Sequence, residues 1–257
     1  DGEGWINASD LSTTDNRIEA VQKVLNEKYN NQERISVYVK QLDTDRVAAI
    51  NDEKSMYAAS IAKLGVLYYA QERLSQKKLS LSNEYQYTST VNGFPGAYDP
   101  DGSGKISKMP DDKNYSLENL LKAVAQNSDN VATNILGYYV ANQYDNSFQK
   151  SVDKASATSW NMDKKELTAR AAGTLMEAIY RQNGDIINYL SSTDYDGERI
   201  SKNIDVPVAH KIGDAYDFKH DVAIVYTDSP FILSIFTDKE GYDKITSIAD
   251  DVYGILK

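Results

Sequence analysis

Residues 57–69 read YAASIAKLGVLYY and hold a serine and a lysine three positions apart inside an otherwise apolar run. Two interpretations of Ser60 and Lys63 are open. The pair is either a catalytic nucleophile with its base, or a serine at a helix start followed by a lysine whose aliphatic stem covers apolar surface. To act as a base Lys63 has to be neutral, so its pKa has to fall by roughly three units from about 10.4. Desolvation and a neighbouring cation can supply that fall, and the apolar neighbours provide the first.

Serine and lysine occur at this spacing four times, as Ser60/Lys63, Ser75/Lys78, Ser147/Lys150 and Ser151/Lys154. The last three pairs lie in polar stretches typical of a solvated helix surface. Ser60 differs because apolar residues surround it and a predicted hairpin leads into the helix that it starts. Backbone N–H groups at a helix start face negative charge that develops nearby, and the spacing puts Lys63 one turn on along the same face. These features favour the catalytic interpretation.

Hydrophobic periodicity on either side of this stretch predicts strands and helices. Residues 15–29 repeat apolar positions every three or four residues, as a helix does. Residues 34–42 (RISVYVKQL) alternate, and after a turn RVAAIN runs back, which indicates a β-hairpin. Three more strands and a final amphipathic helix are predicted over residues 206–212, 221–227, 231–237 and 242–256.

The middle of the chain has a helical pattern. Its apolar stripes are Leu117, Leu120, Leu121 and Val124, then residues 131–140, then Ala172, Leu175, Met176 and Ile179, with Gly184 as the expected stop. We therefore predict an α/β (α+β) fold in which one antiparallel sheet, split between the two ends of the chain, is flanked by helices, with an all-helical subdomain between. The expected sheet part is about 13–52 and 196–257, and the helical part about 53–195.

The first twelve residues, DGEGWINASDLS, carry glycine, tryptophan and turn formers without a helical period. They resemble the closing strand of a bacterial Src-homology-3-type cell-wall module, and a disordered terminus explains them equally well. We expect residues 1–12 to be a tail, which is the end of a removed module on the first interpretation, and residues 13–257 to form the main domain.

Composition excludes several kinds of function. A net charge of −10 disfavours a nucleic-acid partner, because that affinity rests on Lys and Arg facing phosphates. No apolar run reaches the roughly 18 residues of a spanning helix. Asp1 begins no signal-peptide pattern, so we expect any export segment to have been removed or never present. The absence of cysteine excludes disulfides and leaves the compartment open, and two histidines leave little room for zinc. We predict no metal and no cofactor.

Two further motifs follow Ser60 in order. QNSDNVATN contains Ser128-Asp129-Asn130 at the junction of two predicted helices, and VAHKIGDAY contains Lys211-Ile212-Gly213 on a predicted strand. Each is common by itself, but the ordered set is specific. It resembles the class A β-lactamases and the wider penicillin-recognising serine hydrolases, whose marks are Ser-x-x-Lys, Ser-Asp-Asn and Lys-Thr-Gly. The likeness covers about residues 15–257 and implies a β-lactamase/transpeptidase-like fold.

The resemblance implies a role for each matching residue. Ser60 would be the acylated nucleophile and Lys63 its base. Ser128 would pass a proton to the leaving nitrogen, and Asn130 would hold the side-chain amide of the substrate. Lys211 would add positive charge near Ser128 and the substrate carboxylate.

The resemblance also implies an oxyanion hole and a second cation. The hole would be formed by the backbone N–H groups of Ser60 and of Asp214, the residue after Gly213, and such donors are worth about 3 kcal/mol of barrier. Lys219 matches a position where many class A enzymes carry a carboxylate-binding arginine. Lysine there keeps the charge and loses the bidentate geometry.

Two departures from the family pattern concern binding and turnover. Ile212 replaces the threonine of Lys-Thr-Gly, so we expect weaker binding of the substrate carboxylate. Residues 143–167, where class A enzymes place a water-activating glutamate, are short and lack a Glu-Pro-x-Leu-Asn-like sequence. Their one glutamate, Glu166, is expected to be a carboxylate in the first turn of a helix beginning near Thr168. We therefore expect slow deacylation.

Two other features resemble functional motifs but lack a residue or a role that those motifs require. DPDGSGKI, residues 99–106, imitates an EF-hand loop, but Pro110 stands where a bidentate glutamate is needed. His210 and His220 suggest a Ser-His-Asp arrangement, yet both lie on predicted strands beside the third motif and a lysine already fills the base role.

The sequence thus predicts a β-lactamase-like serine hydrolase that forms an acyl-enzyme at Ser60 with β-lactams or D-alanyl peptides and deacylates slowly. A D,D-peptidase of the penicillin-binding protein type is one alternative. A non-catalytic cell-wall-binding protein with a degenerate site is another. The resemblance further implies an extracellular or cell-envelope-attached monomer of bacterial origin, whose partners are small β-lactam or peptidoglycan-peptide substrates.

Overall fold

A five-stranded antiparallel sheet joins the two ends of the chain in the computed structural model, which describes residues 15–257; the tail expected at residues 1–12 lies outside the described residues. The strands are β1 (Ile35–Gln41), β2 (Val47–Ile50), β7 (Val208–Ala215), β8 (Phe218–Val225) and β9 (Phe231–Asp238). Their order in the sheet is β2-β1-β9-β8-β7. Because β1 pairs with β9, with Val37 opposite Ile235, the sheet is continuous across the interruption in sequence.

Two short two-stranded sheets lie outside the main sheet. In the first, β3 (Met56–Tyr57) pairs with β6 (Glu166–Leu167), and in the second, β4 (Glu84–Gln86) pairs with β5 (Asn114–Ser116). Strand β3 of the first sheet ends directly before the segment that carries Ser60.

Eight α-helices fill the rest of the described chain. They are α1 (Arg17–Tyr29), α2 (Leu64–Ser75), α3 (Leu117–Asn127), α4 (Asn130–Tyr139), α5 (Asn146–Ser156), α6 (Ala169–Gln182), α7 (Asp185–Leu190) and α8 (Tyr242–Leu256). Short 3-10 helices occupy Ala59–Lys63, Ser89–Asn92 and Arg199–Asn203. No helix within residues 15–257 is both long and apolar enough to cross a membrane.

The alternation of strand side chains gives the sheet two apolar faces, and each face has its own core. Val37 and Leu233 point to the side covered by α1 and α8, whereas Tyr38 and Ile232 point to the side covered by α6 and the helical part. Burial on both faces explains why the strands read as nearly continuous apolar runs. The sheet therefore carries the helical part on one side, and the edge strand β7 lies beside the segment that holds Ser60.

The predicted fold class is confirmed, and five details differ from the sequence-based expectations. Strand β7 spans Val208–Ala215 rather than 206–212, and strand β8 begins at Phe218 rather than at residue 221, because β7 and β8 form one long hairpin. Helix α6 ends at Gln182 because Asn183 takes a left-handed conformation, and Gly184 instead precedes α7. Glu166 lies in strand β6 and not in a first helical turn. The short strands β3 to β6 were not predicted, since two or three residues carry no usable period.

Candidate active site

The segment that carries Ser60 begins with a strained turn rather than a regular helix. Residues 59–63 form a 3-10 helix that continues into α2, and Ala59 has a φ of 50°. A non-glycine residue in this region stores about 1–3 kcal/mol, and such strain concentrates at functional sites. Ser60 is 8% exposed, and its hydroxyl makes no hydrogen bond to any of residues 15–257. The hydroxyl is therefore available to a ligand.

Strand β7 passes this turn at very short range because Gly213 has no side chain. A Cβ at Gly213 would lie 2.6 Å from the carbonyl oxygen of Ala58 and 2.8 Å from a side-chain carbon of Ile61. This close approach brings Asp214 next to Ser60. Both residues line one cavity of about 210 Å³, here called the Ser60 cavity, together with Tyr98 and Asn130. The absence of a side chain at Gly213 therefore allows β7 to approach the turn that carries Ser60.

The Lys63 ammonium lies behind Ser60 and is bound to the second motif. Its Nζ donates to the carbonyl oxygen of Ser128 at 2.6 Å and to Oδ1 of Asn130 at 2.5 Å, and lies 3.4 Å from Oγ of Ser128. No hydrogen bond joins Lys63 to Ser60 within the described chain. Complete burial, and then the positive charge of Lys211, hold the pKa of Lys63 well below its usual value. A neutral amine at this position can accept a proton.

Ser128 lies between two lysines. It ends α3 in a left-handed conformation, with a φ of 53°, which turns its side chain toward β7. The Lys211 Nζ donates to Oγ of Ser128 at 2.8 Å and to the carbonyl oxygen of Ile212 at 2.9 Å. Burial, and then the charge of Arg199, lower the pKa of Lys211 to about 7. Because the two ammonium groups repel each other, a proton on one disfavours a proton on the other.

Asp129 and Asn130 organise the loop that was compared with an EF-hand. Asp129 caps α4 through the N–H of Ala132, and its other oxygen accepts the N–H groups of Lys105 and Ile106 at 2.6 and 2.9 Å. Gly104, at a φ of 122°, lies so close that a Cβ would meet that oxygen at 2.2 Å. The glycines of this loop therefore serve packing on the second motif. Residues 15–257 contain no cluster of His, Asp or Glu that could hold a metal ion.

The Asn130 side chain has both ends of its amide bound within the protein. Its oxygen accepts from Lys63, and its Nδ2 donates to the carbonyl oxygen of Asp99 at 2.7 Å. Asn130 nevertheless lines the Ser60 cavity. Its expected contact with a substrate amide remains a prediction, and it requires one of these two bonds to be exchanged.

The Asp214 carboxylate, near the C-terminal end of β7, is bound by two cationic side chains. It accepts from Lys219 Nζ at 2.5 Å, from Arg199 Nη2 at 2.7 Å and from the hydroxyl of Tyr242. Lys219 is thus bound to Asp214 and to the carbonyl oxygen of Tyr216, and its expected contact with a substrate carboxylate stays a prediction.

Arg199 was not singled out from the sequence. Its side chain is 1% exposed and stacks on Tyr242 at 4.0 Å. Its Nη2 pairs with Asp214 at 2.7 Å and its Nη1 with Glu198 at 3.0 Å, and Nε makes no hydrogen bond within residues 15–257. Two carboxylates therefore offset the cost of burying the Arg199 charge. No sequence signal marks Arg199, because it lies in a short 3-10 helix outside the three motifs.

Lys165 is a second residue that the sequence did not reveal. It is buried, and its Nζ donates to the carbonyl oxygens of Gly96 at 3.1 Å and Met162 at 2.8 Å. The ammonium lies 4.5 Å from the centre of the Tyr98 ring, as does that of Lys63. Tyr98 in turn donates to the carbonyl oxygen of Ala59 at 3.1 Å. Lys165 therefore adds positive charge behind the Ser60 cavity.

The two histidines lie on strands away from Ser60, and neither contacts it. His210 is buried with Nδ1 3.0 Å from Asp221 and Nε2 3.2 Å from Asp196, and these carboxylates raise its pKa to about 9 against the opposing effect of burial. His220 accepts the N–H of Thr237 and donates to the carbonyl oxygen of Tyr57, and burial lowers its pKa to about 4. Both are structural in this geometry.

We expect His210 to make stability fall with pH above neutrality. The folded pKa of about 9 exceeds the unfolded value of about 6.5, so its contribution is complete below pH 6.5 and is lost as pH rises through 9. The stability advantage of the wild type over His210→Gln should shrink by roughly 2–3 kcal/mol between pH 6 and pH 9.5 in urea unfolding. His220→Gln is the control, because a pKa of about 4 gives no change between pH 7 and pH 9.5. A constant advantage of the wild type would contradict the charged assignment.

Comparisons with known proteins identify the family and the fold. The model of the beta-lactamase enzyme family matches residues 16–256. Among solved structures, PBP-A is 14% identical with a TM-score of 0.75, covering 95% of this chain and 96% of its own. A mutant of PBP-A, solved as an acyl-enzyme complex with penicillin G, is 15% identical, with 94% and 96% covered and the same TM-score, 0.75. The extended-spectrum β-lactamase TLA-1 is 18% identical with a TM-score of 0.71, covering 95% and 99%. No curated protein sequence matches the chain.

A split antiparallel sheet with a helical part, and a buried serine followed by a lysine at the junction, define the class of β-lactamase-like folds. Since the family model matches nearly the whole described chain, this protein belongs to the beta-lactamase enzyme family.

Proposed function

We propose that the protein is a serine hydrolase that is acylated at Ser60 by β-lactams or D-alanyl peptides. The observation that carries the proposal is the hydrogen-bonded array of Lys63, Ser128 and Lys211 directly behind the unbonded Ser60 hydroxyl. Burial lowers the pKa of both lysines, and the charge of Lys211 adds to this effect at Lys63 as that of Arg199 does at Lys211, so that a proton can move along the array. The penicillin G acyl-enzyme of a PBP-A mutant supports a small-molecule acyl donor.

We propose the following steps of acylation. Neutral Lys63 takes the proton of Ser60 as the serine oxygen attacks the carbonyl carbon, and the oxyanion accepts from the N–H groups of Ser60 and Asp214. The bond from that carbon to the leaving nitrogen then breaks. Ser128 gives its proton to that nitrogen and is reprotonated from Lys63, which restores the array. Lys211 attracts the carboxylate of the donor.

Slow deacylation is part of the proposal. The carboxylates that line the Ser60 cavity, within residues 15–257, are Asp99 and Asp214. Asp214 is bound by two cations, and Asp99 accepts the backbone N–H of Asp101. Lys165 does not line the cavity, and its Nζ donates to the carbonyl oxygens of Gly96 and Met162. Water attacking the acyl group therefore lacks a strong general base.

The contacts of Lys63 are also compatible with a non-catalytic protein. The polar contacts of its Nζ go to Ser128 and Asn130, and none goes to Ser60. In a protein that binds cell-wall material without catalysis, these contacts of Lys63 would have a purely structural role. A D,D-peptidase remains the alternative within the enzyme class, because weak water activation suits slow β-lactam turnover. The extracellular or envelope location, the monomeric state and the division into sheet and helical parts also remain proposals.

The intact mass after incubation with labelled penicillin tests acylation. We expect one adduct per chain, located on the peptide that contains Ser60, which persists for many minutes after the free drug is removed. Absence of an adduct would reject acylation and support the binding protein. Rapid nitrocefin turnover without a persistent adduct would contradict slow deacylation, and release of D-alanine from a pentapeptide would identify the peptidase.

A further inference from the structure

We propose a second subsite beside the Ser60 cavity that takes the amine-terminated side chain of an acyl donor. This inference rests on the proposed function and adds the substrate class: D-alanyl peptides whose neighbouring residue ends in a free alkylammonium group. The subsite is a cavity of about 380 Å³ lined by Met56, Tyr57, Glu166, Phe218 and Asp238, here called the aromatic cavity.

The walls of the aromatic cavity are two matching pairs of side chains. Tyr57 stands directly opposite Glu166 in the β3/β6 pair, and Phe218 stands directly opposite Asp238 in the β8/β9 pair. Residues opposite each other in antiparallel strands project to the same face. Each ring therefore has a carboxylate at its side, and the two rings lie 6.2 Å apart. Two aromatic faces with two carboxylates form a setting that attracts an organic cation.

The charge of this cavity is not balanced within the protein. The Glu166 and Asp238 carboxylates form no ion pair and no side-chain hydrogen bond with any of residues 15–257. Lys54 is the cation at the rim, and its ammonium donates to the backbone carbonyl of Glu33. The aromatic cavity consequently favours a positively charged ligand over a neutral or negative one.

Tyr57 connects the aromatic cavity with the site of acylation. The same residue lines the Ser60 cavity, and it immediately precedes the turn that carries Ser60. A donor held as an ester on Ser60 can therefore extend past the Tyr57 ring into the aromatic cavity. A side chain of several methylene groups would pack on Phe218 and Met56 and place its ammonium between Glu166 and Asp238.

Two D-alanyl thioester donors that differ only in one lysine side chain test the subsite. One carries the free amine and the other its Nε-acetyl form, and the measurement is the rate constant of acylation by intact mass. We expect the wild type to prefer the free amine by about tenfold, as befits one cation between two partly exposed carboxylates and two rings. Glu166→Gln/Asp238→Asn should abolish the preference and leave the rate with the acetylated donor unchanged.

Glu84→Gln is the matched control, because Glu84 is an exposed strand glutamate that lines neither cavity. It should keep the preference. Equal rates with both donors on the wild type, or a preference that survives the double substitution, would overturn the subsite while leaving acylation intact. If neither donor acylates Ser60, the proposed function fails instead. Calorimetric binding of the two peptides to the wild type and to the double variant then decides on the subsite separately.

Discussion

Replacing Lys63 by methionine is expected to slow acylation of Ser60 by about 10³-fold. A positioned general base contributes roughly 10²–10⁴ to a rate, and Lys63 is the buried amine whose pKa is lowered toward that role by burial and by Lys211. Methionine has nearly the same length and carries no charge, so the variant leaves no unpaired ion in the interior. The measurement is the rate constant of acylation by labelled penicillin at saturating and limiting concentrations.

The pH profile separates loss of a base from loss of packing. In the wild type, acylation should fail on the acid side, because the rate requires neutral Lys63 and falls as pH drops through its depressed pKa. Lys63→Met should lose that acid limb together with the rate. If only the packing of Asn130 were disturbed, the limb would persist.

Lys78→Met is the matched control for this substitution. Lys78 follows Ser75 at the same spacing, but both residues are exposed at the end of α2. The control should acylate at the wild-type rate, and Ser60→Ala should form no adduct at all. A rate for Lys63→Met within about tenfold of the wild type would show that Lys63 is not the base and would favour the reading of its present contacts as structural.

Replacing Asp129 by alanine is expected to lower the free energy of unfolding by about 4–7 kcal/mol. The Asp129 side chain is fully buried and accepts three backbone N–H groups, from Ala132, Lys105 and Ile106. Loss of a helix cap costs about 1 kcal/mol, and each hydrogen bond to a charged acceptor contributes about 1.5–3 kcal/mol. Urea unfolding, compared through the midpoint and slope, measures the change.

Asp145→Ala provides the control for a cap that lies at the surface. Asp145 caps α5 by accepting the N–H groups of Ser147 and Phe148, but it holds no second loop. Its loss should cost about 1 kcal/mol. Equal losses in the two variants would mean that the contacts of Asp129 with the loop at residues 105–106 add nothing, contrary to the geometry.

Local patterns were sufficient to predict most of the fold. The alternation in β1 and in the three C-terminal strands, and the three-to-four spacing in α1 and α8, produce the elements that the structure contains. The Ser128-Asp129-Asn130 motif was placed at the junction of two helices, where it lies. Boundaries set by single residues were missed, as at Asn183, because a left-handed conformation is open to several residue types.

The candidate site was predicted only as far as its motifs reach. Ser60, Asn130 and Asp214 line one cavity, and Lys63, Ser128 and Lys211 are hydrogen-bonded behind it. Arg199 and Lys165 could not be found in the same way. Each residue lies in an irregular segment without a recognisable sequence motif. Only the folded structure shows that its charged side chain reaches the site.

The sequence by itself determined the family of this protein, the order of its elements and the identity of the nucleophile candidate, because these depend on short-range spacing and on the pattern of apolar residues. The tertiary structure alone decided the charge state of that site. Lys63 and Lys211 have lowered pKa values because strands and helices distant in sequence remove both from water and set them on either side of Ser128. The facing pairs Tyr57/Glu166 and Phe218/Asp238 likewise exist only through the register of paired strands. Desolvation and strand register are properties of the folded chain, and no local stretch of sequence encodes them.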